Sequence, residues 1–450
     1  MQKSSYLILL AAGLISFSSL QAQDIKPTSE KALQESVDKH KAMLSSTPLK
    51  DFKARNVGPT NMSGRIVDLE VANNTNTFYI AAASGGVWKT EDNGQSFTPI
   101  FDHQGALGIG AMALSKSDNQ VLWVGTGENN SSRSTYAGAG LYKSTDGGKT
   151  FQMMGLLHSH HIGQILIHPT NPDIVWVGSM GGLYSKNKER GLYKTTDGGK
   201  TWKKILYIDE KTGVGEMIMD PTNPNKLFVN MWEHRRYPWF FKSGGPSSGL
   251  HVTIDGGETW KKLDDKNGLP KGDLGRMGLA MSKANSQKVY ALIESSKNAL
   301  YVSEDGGSNF KLVNDKAEIG DRPFYYFEIH ADPKNADRIY TLYSRVGISE
   351  DGGRSFTQML SYEGVHPDHH AWYINPNDPK LMIDGNDGGL NITRDGGKTW
   401  YFAENIPVGQ WYHVNVDNEV PYNIYGGLQD NGSWVGPAYV WRRDGIRNTY

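Results

Sequence analysis

The pattern of hydrophobic and polar positions predicts a chain made almost wholly of short strands. From about Lys53, runs of β-forming residues alternate with clusters of Gly, Asn, Asp and Pro. The first unit contains four such runs, at 65–71, 77–83, 86–90 and 96–101. Later units keep this plan, and Pro-Thr-Asn-Pro turns join the first strand of some units to the second. No helical pattern lies between the strands, so the sequence predicts an all-β domain.

A helical pattern precedes the strands. Ser29 can cap a short helix that ends before Pro48. Its positions at helical spacing are Leu33, Val37, His40 and Leu44. We therefore expect a small helical lead-in at 23–52.

One acidic turn recurs along the β domain. It reads STDGGKTF from Ser144 and TTDGGKTW from Thr195, and its copies lie about 50 residues apart, a period typical of propeller blades or solenoids. Four strands in each period without helices favour a propeller, so we predict a seven-bladed β-propeller of four-stranded antiparallel blades at 53–407. The aspartates of the turns are Asp92, Asp146, Asp197, Asp255, Asp305, Asp351 and Asp395.

These aspartates are interpreted as structural. In a hairpin between the third and fourth strands, a carboxylate can accept backbone N–H bonds while the following glycines supply positive φ. The aromatic residue that ends each motif can then pack between sheets. Catalysis needs a residue in one place, whereas a turn is needed once in every blade.

Composition narrows the classes of partner and compartment. The 47 basic and 48 acidic residues nearly balance, so no electrostatic argument favours nucleic acid. The absence of cysteine excludes disulfides and cysteine metal sites. Lys3, the apolar run at 6–17 and the small Ala22 predict a signal peptide at 1–22, and no later run is long enough for a transmembrane segment. We expect a secreted, periplasmic or cell-surface protein.

The acidic turns resemble the Asp-box, or bacterial neuraminidase repeat. The region 56–434 is similar to bacterial exported sortilin-like or glycosyl-hydrolase-like repeat proteins, as in SGGVWKTEDNGQSFTPIFD, PDHHAWYINPNDPK and YGGLQDNGSW. The resemblance implies a propeller. It implies little about activity, because this fold carries sialidases, xyloglucanases, sorting receptors and assembly factors.

Three better-characterised relatives differ from this chain at informative positions. Sialidases resemble it at Arg65-Ile66 but continue with Pro, where Val67 stands here. The two-propeller xyloglucanases carry a catalytic Asp at the position of Ala83, and its partner lies in a second propeller. Sortilin has a cysteine-rich module that a chain without cysteine lacks.

Ligand contacts are expected in the loops between second and third strands, which vary in length on a constant frame. These loops are 126–140, 179–190, 232–249, 385–389 and 427–433. The loop 232–249 combines aromatic rings with arginines, which suits sugar stacking, carboxylate capture or a protein contact; a plug over the channel is the alternative. Candidate ligand-binding residues are Arg65, Trp232, Arg235, Arg236, Tyr237, Trp239, Tyr326, Trp411 and Tyr412.

Glycoside hydrolysis would need two carboxylates about 5 to 10 Å apart, one with a raised pKa. The candidates are Asp387, Asp430, Glu128 and Glu233, for each of which turn capping is the alternative. Asp368, His369 and His370 could hold a divalent metal, but adjacent histidines on a strand point to opposite sides. We therefore predict neither a metal site nor a cofactor.

Two functions remain open at this point. The favoured one is an exported recognition module that binds an extracellular polysaccharide, peptide or protein at the channel mouth. The other is a glycoside hydrolase whose cleft is shared with sequence beyond this chain. Residues 408–450 are expected to start a further blade or a second propeller.

Overall fold

The computed structural model describes residues 28–52, 56–237 and 239–439. The predicted signal peptide at 1–22 lies outside them. Helix α1 (Glu30–Ser46) begins where the Ser29 Oγ accepts a hydrogen bond from the Ala32 N–H at 3.3 Å, which confirms the predicted cap. No helix in the described ranges has the length and apolar character needed to cross a membrane.

Antiparallel sheets follow one another along the rest of the described chain, and the prediction of an all-β fold of four-stranded sheets is confirmed. Each of the first seven contains one Asp-box turn. Sheets one to four are formed by β1 (Ile66–Val71), β2 (Phe78–Ala82), β3 (Gly86–Thr90) and β4 (Thr98–Pro99); β5 (Ile109–Leu114), β6 (Leu122–Thr126), β7 (Leu141–Ser144) and β8 (Gln152–Met153); β9 (Ile162–His168), β10 (Asn171–Ser179), β11 (Gly191–Thr195) and β12 (Lys203–Leu206); and β13 (Thr212–Asp220), β14 (Asn223–Arg236), β15 (Phe241–Ser243), β16 (Gly249–Thr253) and β17 (Lys261–Leu263).

The remaining sheets keep the same order, in which each strand pairs with the next along the chain. Sheets five to eight are formed by β18 (Met277–Ser282), β19 (Asn285–Ile293), β20 (Ala299–Ser303) and β21 (Lys311–Asn314); β22 (Glu328–Ala331), β23 (Ile339–Leu342), β24 (Val346–Ser349) and β25 (Thr357–Leu360); β26 (His369–Ile374), β27 (Met382–Asn386), β28 (Gly389–Thr393) and β29 (Tyr401–Phe402); and β30 (Trp411–Val416), β31 (Asn423–Leu428) and β32 (Ser433–Pro437).

Apolar side chains pack between neighbouring sheets rather than within one central core. Tyr79 of sheet one packs with Met112 of sheet two. Phe78, on the same strand as Tyr79 but the opposite face, packs with Ile383 and Leu390 of sheet seven. Sheet one therefore has sheet two on one face and sheet seven on the other, which arranges these sheets around an axis as in a β-propeller.

A channel cavity of about 290 Å³ lies on that axis. Every one of the first seven sheets contributes its first strand to the wall, so the first strand is the inner one throughout. The wall residues include Asp68, Met112, Ile165, Glu216, Leu279, Ile329 and Ala371.

The Asp-box turns have the predicted hydrogen bonds. The Asp197 carboxylate accepts from the Thr195 hydroxyl at 2.7 Å, and from the Thr201 N–H at 3.0 Å and hydroxyl at 2.6 Å. Gly198 and Gly199 have positive φ values of 72° and 92°. These bonds hold the pKa of Asp197 well below its usual range.

The aromatic residue that ends the motif joins two sheets. The Trp202 ring meets Trp123 of sheet two edge to face, with centroids 5.9 Å apart. Its indole N–H donates to the Met154 carbonyl at 2.8 Å. The predicted packing between sheets is therefore observed here.

Antiparallel pairing separates the turns from the loops. Connections between third and fourth strands, which carry the Asp-box turns, leave one end of each sheet; connections between second and third strands leave the other end. We call these the Asp-box end and the loop end.

The loop predicted at 232–249 is in large part regular structure. Strand β14 runs on to Arg236 and pairs with β15, so that Arg235 lies opposite Lys242 and Arg236 opposite Phe241. The Tyr237 N–H donates to the Phe240 carbonyl at 2.7 Å and closes the turn. The prediction of an irregular loop was wrong because β14 keeps its pairing beyond the sheet; we call 234–243 the aromatic hairpin.

Candidate functional site

A cleft of about 500 Å³ opens at the loop end beside the aromatic hairpin. Segments from several sheets meet there: the loop after β6, the hairpin, the connection before β22, the turn before β26 and the loop after β31. Its lining residues include Arg133, Arg236, Trp239, Phe240, Arg322, Tyr325, Asp368, Gln429 and Asp430.

The tip of the hairpin presents aromatic rings to solvent. Trp239 is 72% exposed and Phe240 is 53% exposed. The Tyr237 ring stacks on Phe240 with centroids 5.0 Å apart, and lies 6.0 Å from the Trp239 ring. The hairpin therefore presents a continuous aromatic edge beside the cleft, and Trp239 stays a predicted ligand contact.

Trp232 does not belong to this edge. It lies within β14, is fully buried, and donates its indole N–H to the Ser243 hydroxyl at 3.2 Å. The guanidinium of Arg276 lies 5.8 Å from the ring centroid. The prediction that Trp232 meets a ligand was wrong, because the strand continues through this position and turns the ring into the protein.

A buried ionic network forms the floor beneath the cleft. Arg65 donates through Nη2 to Glu128 Oε1 at 2.8 Å and through Nε at 3.0 Å. Its Nη1 donates to the Tyr325 hydroxyl at 2.8 Å and lies 3.7 Å from Asp387. Burial lowers the pKa of Arg65, but the charges of Glu128 and Asp387 outweigh burial and raise it above its ordinary value. Arg65 is therefore permanently charged and buried. It is not exposed to a ligand, contrary to the prediction.

Asp387 is shared among three partners. It accepts from the Tyr325 hydroxyl at 2.6 Å and pairs with His370 Nε2 at 3.0 Å, while Arg65 lies nearby. Burial alone would raise the pKa of Asp387, yet His370 and Arg65 hold it well below the usual range. This carboxylate is ionised and fully engaged, so the alternative of simple turn capping does not describe it.

Asp430 has the opposite character. It lines the cleft and is only partly buried. Burial raises the pKa of Asp430, and its hydrogen bond with Asp387 and the charges of Asp387 and Asp368 raise it further. Two neighbouring carboxyls whose pKa values are pushed apart are the pattern of an acid and base pair.

The other two candidate carboxylates are structural by their contacts. Glu128 is completely buried against Arg65, and its second oxygen accepts from the Tyr136 N–H at 2.9 Å. Glu233 lies on β14 rather than in a loop and pairs with Lys242 at 2.6 Å. Neither lines the cleft.

The weak metal candidates point to separate partners. Asp368 pairs with Arg322 at 2.9 Å, His369 with Asp384 at 2.8 Å, and His370 with Asp387. The described residues contain no group of three metal-binding side chains suited to an ion. The expected divergence of adjacent histidines is observed, because these two begin strand β26.

Three aromatic candidates lie away from the cleft. Tyr326 is fully buried under the Arg322 guanidinium, which lies 4.8 Å from its ring centroid. Trp411 and Tyr412 lie on β30 of sheet eight, and the Tyr412 hydroxyl bonds Gln429, which does line the cleft. Tyr412 therefore reaches the site only through Gln429.

A second cavity of about 310 Å³ lies on the other face of the aromatic hairpin. It contains Arg235 and Tyr237 from the predicted set, and it shares Phe240 with the cleft. Arg190 in its wall is fully buried, and burial together with the charge of Arg235 lowers its pKa to about 9. The lining residues are Lys186, Arg190, Lys211, Glu233, His234, Arg235, Tyr237, Phe240 and Lys242.

Comparisons with known proteins point to xyloglucanases and their fold relatives. Residues 139–269 match the Sortilin-Vps10 family model, described as sortilin, neurotensin receptor 3. The xyloglucanase Xgh74A of Acetivibrio thermocellus is 24% identical over 238 residues, which are 45% of this chain and 26% of the enzyme. The oligoxyloglucan-reducing end-specific xyloglucanase of Emericella nidulans is 23% identical over 42% of this chain and 22% of the enzyme. The matches thus span about a quarter of these relatives' length.

The comparison with solved structures supports the propeller fold. The GH74 xyloglucanase of Xanthomonas campestris superposes with a TM-score of 0.61 at 16% identity, covering 85% of this chain and 60% of that one. The chain resembles these xyloglucanases in fold, and its acidic turns resemble the Asp-box. The structure of YCF48 bound to a D1 peptide superposes with a TM-score of 0.51 at 14% identity and covers 74% of this chain and 94% of that one.

Sequence reasoning did not single out three arginines that line the two cavities. Arg133 and Arg322 line the cleft, and Arg190 lines the second cavity. Arg322 lies three residues before Tyr325 in the sequence, but no sequence pattern indicates that it contacts Asp368. Ala83, at the position of the xyloglucanase aspartate, is buried and donates its N–H to the Arg65 carbonyl at 2.9 Å.

Proposed function

We propose that this protein is an exported seven-bladed propeller that binds an extracellular polysaccharide chain in the loop-end cleft. One observation carries the proposal: exposed Trp239 and Phe240 stand beside the cleft, whereas Glu128 and Asp387 below it are engaged in buried ion pairs. Aromatic faces with nearby polar donors are the surface on which sugar rings stack. The distant likeness to xyloglucanases favours a polysaccharide over a peptide, and the pattern at 1–22 supports export.

Removal of the exposed indole tests this proposal. In affinity gels containing plant or algal polysaccharides, Trp239→Ala should weaken retention at least roughly tenfold, as expected for a central aromatic contact. Tyr401→Ala is the matched control, because Tyr401 is an exposed ring on β29, away from the cleft. Equal retention of the wild type and Trp239→Ala would argue against the cleft as the binding site.

Glycoside hydrolysis is the second candidate, favoured by the raised pKa of Asp430 beside ionised Asp387. A glycosidase would use the carboxyl with the raised pKa as its acid and the ionised one as its base or nucleophile, which gives these roles to Asp430 and Asp387. If the protein is a hydrolase, Asp430→Asn will abolish release of reducing ends. If the wild-type protein is retained by the polysaccharide but releases no reducing ends, binding remains as its function and hydrolysis is ruled out.

A further inference from the structure

The aromatic hairpin carries two successive arginines that face in opposite directions. Neighbouring residues of a strand point to opposite faces, and the cross-strand pairs place Arg236 with Phe241 and Arg235 with Lys242. Arg236 accordingly lines the cleft, and Arg235 lines the second cavity. Each cavity thus receives one guanidinium from the same hairpin.

Arg236 is a buried cation without an anionic partner. It is 8% exposed, its guanidinium lies 4.9 Å from the Phe241 ring centroid, and its Nε and Nη1 have no hydrogen-bond partner among the described residues. Burial lowers the pKa of Arg236, Tyr184 raises it, and a second cation, Arg133, lowers it. A buried charge and its unpaired N–H groups are costly, so the cleft contains donors prepared for an anion.

Arg235 repeats this arrangement on the opposite face. Its Nε and Nη1 are also buried without a partner, and its guanidinium lies 5.1 Å from the Tyr237 ring centroid. Arg190 of the same wall has an unpartnered Nε and donates its other N–H groups to carbonyls and to His234. The only carboxylate of this lining, Glu233, is paired with Lys242.

The charges of the two linings do not cancel. In the cleft, three arginines face two carboxylates, and the pairing of Asp368 with Arg322 leaves Arg133 and Arg236 against Asp430 alone. In the second cavity, five cationic side chains face one carboxylate. Both cavities therefore favour anions, although the whole chain has a formal net charge of -1.

We propose that the two cavities form one composite site for an anionic polysaccharide, with Arg236 and Arg235 binding its carboxylate or sulfate groups while Trp239 and Phe240 stack on its sugar rings. The inference rests on the proposed polysaccharide-binding function and narrows it to acidic chains. Guanidinium groups suit both anions, because their N–H groups form paired hydrogen bonds with two oxygens.

Binding measurements with paired polymers test this inference. Affinity of the full chain is measured for polygalacturonate, dextran sulfate, neutral xyloglucan, unsulfated dextran and poly-L-glutamate. At least one anionic polysaccharide should bind about tenfold or more tightly than the neutral ones, and high salt should reduce this preference. Polygalacturonate and dextran sulfate separate carboxylate from sulfate recognition.

Variants then assign the preference to the hairpin. Arg236→Gln and Arg235→Gln should each reduce binding of the preferred anion about tenfold, a larger loss than either variant causes in neutral binding. Arg394→Gln removes the same charge from an exposed position beside the last Asp-box turn and should have no effect. The Tm of Arg236→Gln should stay equal or rise, because the variant removes an unpaired buried cation. If the Arg236→Gln variant does not fold, binding is measured instead with Arg133→Gln, which removes an exposed arginine of the same cleft.

The outcomes separate this inference from the function it rests on. Equal binding of neutral and anionic polysaccharides would overturn the inference but keep the proposed function. Absence of binding to every polysaccharide would overturn both. The inference would also be overturned if poly-L-glutamate bound as tightly as the polysaccharides, because sugar rings would then not be needed. It would likewise be overturned if Arg394→Gln lost as much binding as the hairpin variants, because the hairpin would then not be the site.

Discussion

Carboxylates at the two ends of the ring are held in opposite ways. Asp146 at the Asp-box end takes its hydrogen bonds from residues within four positions along the chain, at Ser144, Lys149 and Thr150. Asp387 at the loop end takes its hydrogen bonds from His370 and from Tyr325, 62 residues away. The first arrangement is exposed and repeated in seven turns; the second is buried and occurs once.

This difference distinguishes the Asp-box carboxylates, which stabilise the frame, from Asp387 in the candidate site. A carboxylate whose donors belong to its own turn stabilises that turn wherever it occurs, and can be copied from sheet to sheet. Asp387 of sheet seven takes one of its hydrogen bonds from Tyr325, which precedes the first strand of sheet six, so this arrangement requires neighbouring sheets to be packed together. Substitutions that disrupt these two kinds of arrangement should therefore lower the free energy of unfolding by different amounts.

The largest effect is expected from Arg65→Met, which leaves Glu128 and Asp387 buried without their cation. Loss of one partner from a buried ion pair costs about 3 to 5 kcal/mol. Urea denaturation should show a fall of that size in the free energy of unfolding. Arg354→Met, at an exposed position of an Asp-box turn, is the control and should change it by less than about 0.5 kcal/mol. Equal losses would show that the two ends are not distinguished by burial.

A second effect concerns the channel carboxylates. Burial raises the pKa of Asp68 to about 7 and that of Glu216 to about 8, with Glu328 adding to the latter and Arg276 opposing it. Because the folded state binds these protons more tightly than the unfolded state, the associated stability is complete below about pH 4 and is lost as the pH rises to about 8. The free energy of unfolding should fall by on the order of 2 to 4 kcal/mol across that interval.

The Glu216→Gln variant identifies the source of this fall. Its stability should depend much less on pH than that of the wild type, measured by urea denaturation at a series of pH values. A fall of unchanged size in the variant would assign the effect to other groups. Asp-box carboxylates act in the opposite sense: hydrogen bonds lower the pKa of Asp146 to about 2, so its contribution is present above about pH 4 and is lost only in stronger acid.

The smallest effect is expected at the turns themselves. Asp146→Ala removes exposed hydrogen bonds that are local to one turn, and should cost about 1 kcal/mol in thermal or urea unfolding. Asp305→Ala should cost nearly the same, because its carboxylate accepts the equivalent bonds from Ser303 and Asn309. Clearly unequal losses would show that the turns are not interchangeable.

Sequence reasoning predicted the local features well. The cap at Ser29 depends on a donor three residues away, and the Asp-box bonds on donors within four, so both follow from spacing alone. The strands of the first sheet were predicted closely, except that the fourth is only Thr98–Pro99. Residues 408–450 were predicted to start a further blade or a second propeller, and the described part of this segment forms three strands.

Features that depend on the closed ring could not be predicted. Arg65 meets Tyr325 across 260 residues, and no pattern in either segment specifies the pairing. The aromatic hairpin was mistaken for a loop because the Gly, Pro and Ser residues that follow it at 244–248 resemble a long turn, while the pairing of β14 and β15 depends on only three residue pairs. Asp387 and Asp430 were chosen as carboxylates of predicted loops, and a loop position does not determine burial.

The register of the aromatic hairpin has a consequence for how such proteins diverge. A single-residue insertion or deletion in β14 just before Arg235 would reverse the faces of every later side chain in that strand, and would exchange the two guanidiniums between their cavities. The frame of the ring would not change. Each cavity would still receive one guanidinium, so in related chains the preference for anions would survive one codon gained or lost.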